Sequence, residues 1–169
     1  LAGMALQAHR LALRHATVDH LGRGLAQATR VAILNANYIK ARLSSEMSPA
    51  FPEGPCMHEA LFSDEGLAEG FTTLDVAKGL IDEGYHPMTM YFPLVVHGAM
   101  LVEPTETESK AALDQFIDAL RSVAERAKAG DTSLKTAPHF APRARLDETL
   151  AARKPVLVWK DAPVAEAAE

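Results

Sequence analysis

The chain has 169 residues, 48% of them hydrophobic, and a formal net charge of −5 spread along its length. That is enough apolar material for one domain with a real core, and dispersed acidity excludes the clustered basic face that a nucleic-acid partner needs. No apolar run approaches the ~20 residues of a membrane-spanning helix, no charged-then-apolar leader opens the chain, and the single cysteine, Cys56, excludes an internal disulfide and suits a reducing cytoplasm.

Met4 to His20 reads as a helix of small and apolar residues, broken by Gly22 and Gly24 because a glycine inside a helix costs ~1 kcal/mol. Leu25 to Ser44 resumes as a long helix. Val31, Leu34 and Tyr38 share one face, and Ala28, Ala32, Asn35 and Ile39 share the adjoining one. So wide an apolar arc predicts burial against more than one neighbour. Asn35 and Asn37 need partners there and are expected to bond nearby backbone. Ser44 to Pro55 is turn-rich. Cys56 to Phe62 predicts a strand and Ser63 to Gly70 a polar loop. Thr72, with Asp75 three residues on, opens a helix that turns Val76, Ala77, Leu80 and Ile81 inward and stops at Gly84.

Two short apolar runs follow, Met88–Phe92 and Ala99–Glu103, both strand-like, with Pro93 marking an edge or a corner. Pro104 ends the second. Thr105 and Glu108 have the spacing of a capping box for a helix whose inner face is Leu113, Phe116, Ile117, Leu120, Val123, Ala124 and Ala127. Gly130 stands where a left-handed cap ends it. Asp131 to Ala144 has two prolines and no period, and predicts an irregular surface segment. Leu146–Arg153 predicts one or two helical turns, Pro155–Trp159 is strand-like, and the tail APVAEAAE reads as frayed. The order predicts an α+β fold: a short, mostly antiparallel sheet with helices on one face, preceded by a long helix. The expected organisation is connecting helices over 1–45, a small α+β domain over 46–130 and an irregular extension over 131–169.

GYHPMTMYFPLVV (Gly84–Val96) and MLVEPTETESKAALDQFIDAL (Met100–Leu120) resemble the C-terminal region of the glycine cleavage system P-protein, glycine dehydrogenase (decarboxylating), and most closely the second subunit of its two-subunit bacterial form. The resemblance extends through LNANYIKARL (Leu34–Leu43), PCMHEALF (Pro55–Phe62) and LDVAKGLIDEGYHP (Leu74–Pro87), and LKTAPH (Leu134–His139) is similar to a further short motif of that family. It implies the small C-terminal domain of a fold-type I enzyme dependent on pyridoxal phosphate. Such an enzyme decarboxylates glycine and passes the aminomethyl group to the lipoyl arm of a carrier, the H-protein. The implied partners are a first P-protein subunit, the carrier and glycine, in an oligomeric, cytoplasmic assembly without nucleic acid or membrane. In that family the cofactor lysine stands in a His- and Gly-rich loop upstream of the region matched here. None of the seven lysines of this chain stands in such a loop, and no glycine-rich phosphate loop is present. The chain is therefore expected to be a fragment that holds no pyridoxal phosphate, carries no catalytic residue of its own and is inactive alone.

Four residues stand out as cleft or interface candidates: His86, Glu103, Thr105 and His58. His86 resembles the histidine of the family's G-F-H-x-P position. Its ring either closes the turn by bonding backbone or faces the cleft of the full enzyme. Thr105 is explained by helix capping. Glu103, a carboxylate at a strand end, is not, which suits a cleft or interface hydrogen bond. His58 reads as a sheet residue with a satisfied nitrogen. No metal is expected, because the histidines lack i, i+4 spacing and Cys56 has no paired thiol. The competing reading is a stand-alone α+β module that binds a small molecule or drives assembly, without catalysis. Such a module would not need the long apolar helix.

Overall fold

The computed structural model describes residues 24–159; the helix expected over Met4–His20 and the tail beyond Trp159 lie outside them. Helix α1 runs over residues 24–43. It is followed by β1 (Ser48–Pro49), β2 (Ala60–Ser63), α2 (Thr73–Asp82), β3 (Thr89–Met90), β4 (Met100–Val102), α3 (Lys110–Lys128), a 3-10 turn (Thr132–Lys135) and α4 (Glu148–Arg153). The sheet has the order β1-β2-β4-β3, antiparallel throughout. This is the α+β architecture that the hydrophobic pattern predicts.

Strand alternation sets one face of the sheet inward. Ala60 and Phe62 on β2 meet Val102 and Met100 on β4 in register, and all four are buried. Ile39 and Leu43 of α1, Val76 and Leu80 of α2, and Ile117 and Leu120 of α3 pack into the same core. Gly79 lets α2 close on its neighbours: a Cβ there would lie 2.8 Å from Val123 Cγ1 and 2.9 Å from Leu134 Cδ2. Helices α2 and α3 both end in a left-handed glycine with paired backbone bonds. Gly84 N–H donates to Ile81 O and Tyr85 N–H to Leu80 O; Gly130 N–H donates to Ala127 O and Asp131 N–H to Arg126 O.

Several expectations are revised. Strand β1 lies in the segment read as turns; Pro49 is tolerated because β1 is an edge strand. Strand β2 begins at Ala60 rather than Cys56. Leu34, expected inward, is 66% exposed, because α1 buries the Asn35, Ala36, Ile39 and Leu43 stripe instead. Pro155–Trp159 forms no strand and is exposed. Helix α3 starts at Lys110 and not after Thr105. Ser109 is its cap, accepting from Ala112 N–H at 3.1 Å, while Thr105 Oγ1 pairs with Thr107 Oγ1 at 2.7 Å. The Glu106–Thr107 turn delays the helix until a cap with a free hydroxyl is reached.

The largest revision concerns Asp131–Ala144. Most of its residues are at the surface as expected, but it is not loose: Leu134 and Ala137 are fully buried. What holds it down is Asp75, whose side chain is 2% exposed. The Asp75 carboxylate accepts from Lys135 Nζ at 2.7 Å, Arg145 Nη2 at 2.7 Å and Thr72 N–H at 2.9 Å. Burial pushes this carboxyl up, but the bonds from Lys135, Arg145 and Thr72 outweigh it and hold it below the ordinary carboxylate value.

Three outcomes follow. Asp75→Ala removes the shared partner of two cations and should destabilise the fold by about 3 kcal/mol, the low end for a broken buried pair because both cations stay partly hydrated. The Asp75 carboxyl is lowered on folding, so its stabilisation is present above the unfolded value of ~3.9 and lost as pH falls through the folded value. Urea midpoints of wild type and variant should therefore converge as pH drops below about 4. Ser109→Ala should cost ~1 kcal/mol, whereas Thr105→Ala should stay within ~0.5 kcal/mol; midpoints at neutral pH compare them directly.

Candidate functional site

The register places the functional candidates. Strands β2 and β4 are antiparallel, so the residues before Ala60 and after Val102 share one end of the sheet. Thr89 pairs with Leu101, so the chain before β3 reaches the same end. His58, His86, Glu103 and Thr105 therefore all stand at what is here called the Glu103 end.

Helix α1 is pinned there by two amides. Asn37 Nδ2 donates to Cys56 O at 2.8 Å and its Oδ1 accepts from Cys56 N–H at 2.9 Å. Asn35 Nδ2 donates to Thr105 O at 2.8 Å. Asn37 also reaches Ile33 O, the local bond expected of it; the bonds to Cys56 and Thr105 are the long-range ones that sequence reasoning missed. Polar amides on an otherwise apolar helix face were the available signal.

Between α1, the α2–β3 connection, the end of β4 and the first half of α3 lies a cleft of about 480 Å³, in the range of small-ligand sites. Its floor is apolar, with Ile39, Met88 and Leu113. Tyr85 stands edge-on to Phe116, centroids 5.6 Å apart and planes at 71°. Its rim carries His86, Glu103 and Glu108, all exposed. Thr105 does not line it. His58 lies outside the cleft and before β2 rather than in the sheet, with Nε2 3.6 Å from Glu103 Oε1 and 3.7 Å from Glu59 Oε1. Those contacts are exposed and too long for hydrogen bonds, so they are surface ion-pair geometry of little energetic weight.

The rim can accept hydrogen bonds from amine or amide groups at the Glu103 and Glu108 carboxylates, with the His86 imidazole beside them. It does not fit a complete pyridoxal phosphate site. No lysine or arginine lines the cleft to meet a phosphate. Among the described lysines, Lys40 is held by the carbonyls of Phe51, Pro52 and Gly54, Lys110 by Asp114 and Lys135 by Asp75.

A second cluster has the distances of a relay: Asp82 Oδ2 to His139 Nδ1 is 2.8 Å, and His139 Nε2 to Thr136 Oγ1 is 3.0 Å. Thr136 Oγ1 has a carbonyl acceptor, Ser133 O, at 3.1 Å, which directs its proton to the backbone. Asp82 also accepts from the N–H groups of His139 and Phe140 at 2.6 and 3.0 Å. Burial raises the Asp82 carboxyl, and these donors outweigh it to leave it below the ordinary value. The cluster fastens residues 136–140 to the end of α2.

Residues 28–139 match the family described as glycine dehydrogenase, C-terminal domain. The chain is 68% identical over 152 residues to the probable glycine dehydrogenase (decarboxylating) subunit 2 of Caulobacter vibrioides, covering 89% of this chain and 29% of that one. Over 139 residues it is 50% identical to the protein of the same description from Caldanaerobacter subterraneus, and over 138 residues 46% identical to that of Kosmotoga olearia, in each case 80% of this chain and 28% of the relative. The chain thus spans less than a third of the length of these relatives.

The pinning amide is testable. Asn37→Ala leaves both backbone groups of Cys56 without their partner and should destabilise by ~2 kcal/mol. Amide exchange at Cys56, followed by NMR or mass spectrometry, should accelerate more than exchange in α2.

Proposed function

The chain belongs to the glycine dehydrogenase C-terminal domain family, and from that premise we propose that it is the C-terminal domain of a pyridoxal-phosphate-dependent glycine decarboxylase whose cofactor is held by the preceding polypeptide. In this reading the whole protein decarboxylates glycine and passes the aminomethyl group to the lipoyl arm of the carrier H-protein. It works in the cytoplasm with a first P-protein subunit, as an oligomer.

One observation carries the reading at the level of residues. Helix α1 meets the sheet through Asn35 and Asn37 at the Glu103 end, and its residues 24–34 extend about 16 Å of helix from there toward the preceding chain. The cleft rim of His86 and Glu103 stands at that same end. We read residues 24–43 as the connection, and the cleft as one wall of a site whose other wall, with the cofactor lysine, lies upstream. Glu103 and His86 would then meet the amino or carboxyl groups of a small amino acid, or the polar groups beside it. The apolar floor beneath them would exclude water.

The experiment uses the full-length protein with its companion subunit and a lipoylated carrier. Release of carboxyl-labelled carbon dioxide from glycine is expected. Borohydride reduction should fix the cofactor on a lysine upstream of Leu1. His86→Ala and Glu103→Gln should each lower the rate at least tenfold while the melting temperature holds. No release of carbon dioxide, or a cofactor fixed on a lysine of the present chain, overturns the proposal.

A further inference from the structure

The two carboxylates on the cleft rim, Glu103 and Glu108, belong to one connection, residues 103–109 between β4 and α3. Both side chains are exposed, but the backbone that carries them is held at either end. Val102 is buried in the ladder opposite Ala60. Pro104 is buried too, and a proline confines the residue before it, here Glu103, to extended backbone. At the far side Ser109 caps α3. Between these fixed points stands one carbonyl, Thr105 O. It accepts from Glu108 N–H at 3.3 Å, inside the connection, and from Asn35 Nδ2 at 2.8 Å, outside it. Thr105 lies two residues after Glu103, and its carbonyl is bonded to the backbone of Glu108. Holding that one oxygen therefore holds both rim residues.

Asn35 is only 7% exposed on α1. A buried amide is unfavourable unless it is bonded, so the donor is committed to Thr105 O. The neighbouring amide, Asn37, has a different task. Its bonds go to Ile33 and Cys56, and neither residue lines the cleft. Two asparagines on one helix thus divide their work: Asn37 ties α1 to the chain ahead of β2, and Asn35 ties it to the carbonyl that sets the rim. Ile39, one turn after Asn35, is part of the cleft floor. The helix that tethers the rim therefore also supplies the floor beneath it.

Resting on the functional reading above, we propose that Asn35 is a positioning residue for the cleft: through Thr105 O it sets the Glu103 and Glu108 carboxylates in the places from which they meet the substrate. Asn35 touches no substrate itself. It holds the connection in its binding shape beforehand, which removes the ordering cost of binding.

The test compares the full-length wild-type polypeptide with its Asn35→Leu variant, each with the companion subunit and lipoylated carrier. Leucine is close to asparagine in size and has no donor. Expected is a KM for glycine raised roughly tenfold with kcat within about twofold of wild type, because a smaller folded fraction would lower the apparent kcat and leave KM alone. In a background of Glu103→Gln with Glu108→Gln the same substitution adds nothing further, since the groups through which it acts are gone. Asn37→Ala lowers stability and leaves KM unchanged. Amide exchange across residues 103–109, followed by mass spectrometry without glycine, is faster in Asn35→Leu and as in wild type in Asn37→Ala. Should Asn35→Leu fail to fold, Asn35→Ala replaces it in the same measurements. An unchanged KM, or an undiminished effect in the double-glutamine background, overturns the proposal and leaves the functional reading standing. A wild-type protein that does not decarboxylate glycine sinks the functional reading. Exchange across residues 103–109 then decides the positioning by itself: faster exchange supports it, and unchanged exchange overturns it.

Discussion

One buried carboxylate holds the C-terminal third of the domain in place. Asp75 sits in the first turn of α2, where the helix dipole and the Thr72 N–H favour a negative charge. Two cations from one later segment, Lys135 and Arg145, converge on its two oxygens. An isolated buried carboxylate would be strongly unfavourable; with donors from Lys135, Arg145 and both the N–H and hydroxyl of Thr72 it becomes a fixed point. Leu134, beside Lys135, is thereby pressed into the core against Gly79. Arg145 also donates to Ala137 O and Leu134 O, so the same guanidinium satisfies carbonyls of the segment it anchors. Asp82 repeats the logic at the other end of α2, where the dipole disfavours a carboxylate and donors from His139 and Phe140 compensate.

With that segment locked, the two ends of the sheet carry different features. The Glu103 end gathers the arriving helix, the cleft and the polar candidates. The opposite end carries the β3–β4 loop, with exposed Leu94 and Val95 among its residues. The division follows from strand order. In an antiparallel sheet, the connection leaving β3 and the chain leaving β4 emerge at opposite ends.

Much of this was legible from local pattern. Helix α2 begins at the Thr72–Asp75 pair and stops at Gly84, and the inner face of α3 is the Leu113–Ala127 stripe. These are decided within a turn or two of helix by caps, periodicity and glycine, so no distant residue needs to be known. The start of α3 was misplaced because Thr105–Glu108 and Ser109 both offer capping chemistry. Which one wins depends on Asn35 claiming Thr105 O and on where Pro104 is buried, and both are tertiary facts.

The amino-acid sequence by itself determined the α+β class, the inward faces of α2 and α3, the family and the identity of the candidate residues. Each rests on short-range periodicity or on a residue motif. The tertiary structure alone decided that Leu134 and Ala137, in a segment otherwise largely at the surface, are core, since only a buried Asp75 reveals why Lys135 and Arg145 are where they are. It alone brought His58, His86 and Glu103 to one end of the sheet, because strand register over about forty-five residues of chain cannot be read from any window of it. It alone separated a cap that works from one that merely has the right spacing, because a capping oxygen is committed by the neighbours it meets in three dimensions.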